Sequence, residues 1–222
     1  MPDYSTVSRR QAALAVRLPI RVEDQPRHVV VDATGLKVYG AGEWQIRKHR
    51  ATRCRSWRKL HLGVDEKTKE IVAVDLTASN IHDGQRLPHL LSMVCGRIGQ
   101  VSGDRAYDTR ACYESVLDHS GIPTIPPRRN ARRSPDPDPP PWRVARDAML
   151  RAIEEQGRYA WRVASACTRQ SLAENAVSRF KAVFGPKLAS RRFESQQVEA
   201  IIKCSILNRM AALGLPRAER VF

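Results

Sequence analysis

A short apolar run that is rich in β-branched residues and ends in an acid is the feature that most constrains the fold. Residues 28–34 read HVVVDAT, and such a run is typical of a buried strand. Asp32 then lies near the end of that strand. A second apolar run, at 98–102, is followed directly by Gly103 and Asp104. The sequence therefore predicts a sheet with carboxylates at the ends of two strands.

The rest of the chain predicts an α/β fold with a mixed sheet. Alternating or helically spaced apolar residues indicate further elements, which in chain order are strands at 59–65 and 70–77, helices at 83–94 and 109–119, a strand at 122–125 and helices at 171–184 and 195–213. This order favours five strands flanked by helices. The first and fourth strands can be neighbours in such a sheet, which would bring Asp32 and Asp104 together.

The charge balance limits the kinds of partner. The chain has 38 Lys and Arg against 23 Asp and Glu, a formal charge of +15. Such a surface favours binding to polyanions. The net charge alone is equally compatible with a role in solubility or with binding to anionic membranes. No apolar run approaches the ~20 residues of a membrane span, and the N-terminus has no leader pattern. We therefore expect a cytoplasmic protein with no membrane partner.

Two carboxylates at adjacent strand ends are unfavourable unless positive charge lies between them. A divalent cation with hard oxygen ligands, such as Mg²⁺, meets that need, and a third acid allows two ions about 3.5–4 Å apart to act on one phosphodiester. Glu174 is the best third acid, and Lys181 lies seven residues later on the same helical face. The alternatives remain open: Ser171 and Glu174 also fit a capping box, which the pattern alone favours, and both aspartates suit ordinary turns.

Six motifs in a fixed order extend along nearly the whole chain. They are VVVDATGLKVYG at 29–40, WRKLHLGVD at 57–65, VSGDRAYDTRACY at 101–113, IPPRRNAR at 125–132, SLAENAVSRFK at 171–181 and LNRMAALGLP at 207–216. Together they resemble the insertion-sequence-five group of bacterial DDE transposases. The resemblance implies an RNase H-like fold, a metal-binding triad of Asp32, Asp104 and Glu174, and Lys181 as the basic companion.

The resemblance also implies the cofactor, the partners and the domain organisation. Two Mg²⁺ ions, for which Mn²⁺ can substitute, would activate water and later a DNA 3′-hydroxyl. The partner would be double-stranded DNA, both transposon ends and target, bound by a homodimer associated with the nucleoid. The catalytic domain would span 28–216, after a remnant of an N-terminal helical region at 1–27 and before a tail at 217–222.

Two basic segments gain a role from this resemblance. A basic insertion at 35–58 contains Arg47, Lys48, Arg50, Arg53, Arg55 and Arg58, and a Pro- and Arg-rich loop at 126–142 contains Arg128, Arg129, Arg132 and Arg133. Arginines bind phosphates and aromatic residues stack on bases, so both segments are candidates for DNA binding. Solvated loops are the alternative. For Trp44 and Trp57, within the insertion, we favour packing in the core.

The chain departs from the family pattern in three places. Cys167 and Gln170 occupy positions where the family usually has Tyr and Arg, Arg105 follows Asp104 where Gly is common, and the usual helical region before residue 2 is missing. Gln is a weaker phosphate ligand than Arg, although Arg169 can compensate in part. An alternative is therefore a decayed, non-catalytic DNA-binding fragment that interferes with the full-length enzyme. An RNA-directed nuclease of the same fold is a weaker possibility.

Overall fold

The computed structural model describes residues 9–38 and 57–214, together with the single positions 3 and 6. Its strands are β1 (Arg27–Val38), β2 (Trp57–Asp65), β3 (Ile71–Ala78), β4 (Ile98–Ser102), β5 (Ile122–Thr124) and β6 (Lys187–Leu188). Its helices are α1 (Asp83–Ser92), α2 (Arg110–Asp118), α3 (Pro141–Gln156), α4 (Arg158–Ala164), α5 (Ser171–Phe184) and α6 (Phe193–Ala212).

The strands form one mixed sheet in the order β3-β2-β1-β4-β5. β1, β2 and β3 are antiparallel neighbours, whereas β4 and β5 are parallel to their neighbours. The predicted mixed α/β sheet is confirmed and fits the RNase H-like expectation. The prediction of five strands omitted β6, a two-residue strand that pairs with Lys37 and Val38 at the end of β1. Two residues carry too little alternation to be recognised in a sequence.

Apolar side chains cover both faces of the sheet, because the buried strands present Val, Leu and Ile to each side. On one face, Val30, Leu60 and Leu62 pack with residues of α5 and α6, including Phe180. On the other, a second group that includes Val31 and Val101 packs with residues of α1 and α2. The sheet is thus a middle layer between helices, and its central strand β1 is packed on both faces.

The segment between β5 and α5 contains more helix than the sequence indicated. The Pro- and Arg-rich loop ends where α3 begins at Pro141, since proline is well tolerated in the first helical turn. The short helix α4 was not predicted. At the other end of the sheet, residues 35–38 of the expected basic insertion belong to β1 and residues 57–58 belong to β2. None of the helices in the described ranges is long and apolar enough to cross a membrane.

Candidate active site

Asp32 is a half-buried residue in the middle of β1, on the face of the sheet that packs against α5. It pairs with Leu62 of β2 in the antiparallel register. One carboxylate oxygen, Oδ1, accepts a hydrogen bond from the Ala33 amide at 2.8 Å. The side chain is therefore fixed at the centre of the sheet, where β1 is still covered by neighbouring elements.

Asp104 follows β4, the parallel neighbour of β1. Ser102 is paired with Val30, so the chain places Asp104 at the level of Asp32, as the sequence predicted. Asp104 Oδ1 accepts a hydrogen bond from the Ala106 amide at 2.8 Å and so caps a 3-10 turn at Arg105–Tyr107. The preceding Gly103 is required because a Cβ there would lie 2.7 Å from the Tyr107 ring. That close packing holds the turn against the sheet.

Glu174 is an exposed residue in the first turn of α5. It lines an open cleft of about 350 Å³ together with Gly103, Asp104, Arg105, Pro126, Arg158, Arg162, Cys167 and Gln170. The capping-box interpretation of Glu174 is wrong. The helix begins one residue earlier than that motif requires, with Gln170 at the N-cap and no side-chain cap, and Ser171 Oγ instead donates to the Thr168 carbonyl at 3.4 Å. The Glu174 carboxylate therefore does not form a capping box and is available in the cleft.

The electrostatics link the three acids. The pKa of Asp32 is raised from 3.8 to about 6, mainly by burial and further by the negative charges of Asp104, Glu174 and Asp83, against the lowering effect of the Ala33 amide. Two carboxylates from distant segments, Asp104 and Glu174, thus act on the carboxylate of Asp32. Among the described residues, no three His, Cys, Asp or Glu side chains are close enough together to hold a metal ion directly. The three carboxylates repel one another because their charges are alike. To bind a metal ion jointly, their side chains would have to move closer to one another.

Two groups that sequence reasoning overlooked belong to the same region. The phenol of Tyr107 is buried and has no hydrogen-bond partner among the described residues, and burial raises its pKa well above 10, with further contributions from Asp83, Asp32 and Asp104. Asp83, in the first turn of α1, forms an ion pair of 2.9 Å with Lys59. An acid at the first turn of a helix is a common pattern, so its sequence gave no signal of proximity to Asp32.

Lys181 lies two turns after Glu174 on α5, as its spacing predicted. Its Nζ donates to Thr34 Oγ1 at 2.6 Å. Thr34 is two residues after Asp32 on β1, so both side chains point to the same face of the sheet. The lysine is therefore held beside the acids.

The candidate DNA-binding arginines have varied surroundings. Arg47, Lys48, Arg50, Arg53 and Arg55 lie outside the described residues, as does Trp44. Arg58 is turned toward α6, where it donates to Gln196 at 2.9 Å and lies 5.0 Å above the Phe193 ring. Arg128, Arg129, Arg132 and Arg133 are exposed, and Arg133 pairs with Glu154 at 3.4 Å. Our interpretation of Trp57 as a core anchor is wrong, since it is 37% exposed and stacks with Lys37.

The residues that depart from the family pattern line the cleft. Gln170 Nε2 donates to the Val31 carbonyl at 2.9 Å, so this side chain binds the backbone of β1. Cys167 is buried, which raises the pKa of its thiol, while the adjacent Arg162 guanidinium lowers it through its charge and a hydrogen bond. Arg169, which we expected to compensate for Gln170, pairs instead with Glu66 at 3.2 Å. Arg105 lines the cleft beside Asp104.

Another acid in this region, Asp108, has an environment different from those of Asp32, Asp104 and Glu174. Its side chain is fully buried and accepts hydrogen bonds from Arg146 at 2.7 and 3.0 Å, from the Arg128 amide and from the Tyr113 hydroxyl. Burial alone would raise the pKa of Asp108, but these donors outweigh it and the pKa is lowered. Asp108 thus fastens α3 and the Pro- and Arg-rich loop to the turn that carries Asp104.

Comparison with known families decides the assignment. Residues 23–209 match a family model described as a transposase DDE domain, and residues 1–41 match a second model of the same description. The chain belongs to the transposase DDE domain family. A cryo-EM structure of a piggyBac transposase synaptic complex with hairpin DNA is 12% identical to it, with a TM-score of 0.33. The aligned part covers 88% of this DDE domain chain and 56% of that protein, so this chain spans just over half of that protein's length.

Membership is consistent with the placement of the acids. The family match covers all three candidate acids and Lys181 of this DDE domain. It also covers α4 and the departures at Cys167 and Gln170, so these differences occur inside the matched domain. DDE domains are generally dependent on divalent metal ions. The hard carboxylate oxygens of this cleft suit such ions.

Proposed function

We propose that this chain is the catalytic domain of an insertion-sequence transposase, spanning 28–216, which hydrolyses DNA phosphodiesters and transfers the freed strand to a target. The observation that carries this proposal is the electrostatic coupling of Asp104 and Glu174 to Asp32. A half-buried acid whose pKa is raised in part by two neighbouring acids, in a chain with a formal charge of +15, fits a site for cations bound with a polyanion.

Asp32, Asp104 and Glu174 are the proposed ligands of two Mg²⁺ ions, for which Mn²⁺ can substitute. Bound ions supply Lewis-acid activation of water and stabilise the charge that develops on phosphate oxygens. The chain's own residues supply the rest. Lys181, held by Thr34, is positioned to attract the phosphate beside the acids, and Asp108 fixes the turn on which Asp104 lies.

The proposed reaction has two steps of the same kind. In the first, water attacks a phosphorus atom, the bond to the 3′-oxygen breaks, and the leaving strand keeps a 3′-hydroxyl. In the second, that hydroxyl attacks a phosphodiester of the target, so one bond forms for each bond that breaks. We propose double-stranded DNA as the partner, with a homodimer bound to it in the nucleoid of the cytoplasm. The exposed arginines at 128, 129, 132 and 133 are proposed backbone contacts.

The test is nicking of a labelled duplex by the purified chain in a titration of Mg²⁺ or Mn²⁺. We expect weak, metal-dependent nicking without efficient excision, because Gln170 binds the Val31 carbonyl rather than offering a charged phosphate ligand. Asp104→Asn should reduce nicking at least about 100-fold, since even the outer partners of a metal site are worth about 10- to 100-fold.

Two results would contradict the proposal. Nicking that persists in Asp104→Asn would come from another nuclease, and a wild-type chain that binds DNA without nicking it at any metal concentration would favour the non-catalytic fragment. A parallel assay on an RNA duplex distinguishes the RNA-directed alternative.

A further inference from the structure

The acidic cleft also contains basic residues. Arg105 and, from α4, Arg158 and Arg162 line it together with Asp104 and Glu174. Within the described ranges, none of these three guanidinium groups forms an ion pair with a carboxylate. Other arginines of the same region do, namely Arg110, Arg133, Arg146 and Arg169. The cleft therefore combines acids and arginines that do not neutralise each other directly.

Arg158 and Arg162 lie beside uncharged groups. They are four residues apart, so they lie on one face of α4. Arg158 Nη1 donates to the Pro127 carbonyl at 3.3 Å, and Arg162 lies near Cys167, where burial raises the pKa of the thiol and the positive charge of Arg162 lowers it. A guanidinium carries five N–H donors, so each retains most of its donors. Both side chains are positioned without losing their charge to a partner.

Gln170 cannot provide this charge. Its amide nitrogen binds the Val31 carbonyl, and its Oε1 is buried in the structure without a hydrogen-bond partner. A neutral amide with its donor engaged offers little to an anion. The charged donors that line the cleft are Arg105, Arg158 and Arg162, and two of these three belong to α4.

We propose that Arg158 and Arg162 form a phosphate-binding pair for the DNA strand that enters the cleft. The pair would contact backbone phosphates, whose oxygens match the planar, forked donors of arginine, and would not read base sequence. This inference rests on the proposed function and assigns to α4 the role that Gln170 leaves vacant.

The experiment measures binding without catalysis. Affinity for a random-sequence DNA duplex is determined in EDTA over a range of salt concentrations, for the full chain and for Arg158→Gln/Arg162→Gln. Each lost phosphate contact lowers the slope of log affinity against log salt by about 1. The double variant should therefore lose about 2 from that slope and should weaken binding equally on all sequences.

Two variants make the result specific. Arg97→Gln/Arg209→Gln removes two exposed arginines, one just before β4 and one in the last turn of α6, and should leave the slope near the wild-type value. Arg158→Lys/Arg162→Lys keeps both charges and should also preserve it. If the slope falls equally in Arg97→Gln/Arg209→Gln, the effect comes from net charge alone. If it falls equally in Arg158→Lys/Arg162→Lys, the effect comes from altered structure. Either result would overturn the phosphate-binding pair.

The proposal and the proposed function can fail separately. A wild-type slope in the glutamine variant, with metal-dependent nicking intact in the wild type, would refute the arginine pair and leave the transposase function standing. A wild-type chain that shows no salt-dependent DNA binding would refute both. A slope reduced by about 2, with both control variants unaffected, supports the pair.

Discussion

Asp104 and Asp108 lie at the two ends of one 3-10 turn after β4, yet their surroundings are opposite. Asp108 is buried and surrounded by donors, so that its pKa is lowered. Asp104 is exposed in a cleft with Glu174 and adds its negative charge to that of Asp32, whose pKa is raised. The contrast separates two uses of an acid. An acid whose charge is balanced by donors within the protein, such as Asp108, stabilises the fold. An acid whose charge is left unbalanced is available to bind a cation.

The largest effect on stability should come from the balanced acid. Asp108→Ala leaves Arg146 partly buried without its partner, and breaking such a pair costs about 3–5 kcal/mol. We expect a loss of about 3 kcal/mol in the free energy of unfolding, measured by urea denaturation. The matched control is Asp118→Ala, an exposed acid at the end of α2, which should change stability by less than about 0.5 kcal/mol. Similar losses of stability in Asp108→Ala and Asp118→Ala would contradict the distinction between a balanced buried acid and an exposed one.

The contribution of the unbalanced Asp32 to stability should depend on pH in the opposite direction to that of Asp108. A folded-state pKa of about 6 for Asp32, against 3.8, means that its contribution is fully present below pH 3.8 and is lost as the pH rises through 6. In EDTA, Asp32→Asn should therefore gain stability relative to wild type across this window, by about 1 kcal/mol after allowing for its partial exposure.

Urea denaturation at pH 3, pH 4 and pH 7 measures this difference, with Asp108→Asn as the opposite case. The lowered pKa of Asp108 gives a contribution that is present above its unfolded value and lost as the pH falls through the folded one. The deficit of Asp108→Asn should accordingly shrink toward acid. A stability difference between Asp32→Asn and wild type that does not vary with pH would contradict the unbalanced state of the site.

Much of the fold could be predicted because its signals are local. The bounds of β4 and α5 match those read from the sequence, since a short β-branched run and a helical spacing each occupy a single segment. The placement of Asp104 beside Asp32 also followed from the order of the strands. Local signals were insufficient for α4, because its seven residues (Arg158–Ala164) make only two turns, too few for a helical spacing of apolar residues to be recognised.

The surroundings of the site could not be predicted, because they depend on contacts between distant segments. Asp83 approaches the acids only because α1 packs against α2, whose Cys112 thiol donates to the Gly84 carbonyl at 3.3 Å. Likewise, Arg162 reaches the cleft through the path of the chain between β5 and α5. The sequence offered a capping motif at Ser171 and Glu174, and only the start of α5 at its actual position showed that motif to be wrong.

The most direct test of the account is a calorimetric titration with Mn²⁺ of three proteins: wild type, Glu174→Gln and Asp118→Asn. If the unbalanced acids form the metal site, wild type and Asp118→Asn should bind Mn²⁺ with the same affinity, because Asp118 lies at the end of α2 and outside the cleft. Glu174→Gln should bind at least about tenfold more weakly, because a neutral amide is a poorer ligand for a hard dication. Equal Mn²⁺ affinity in all three proteins would contradict the account.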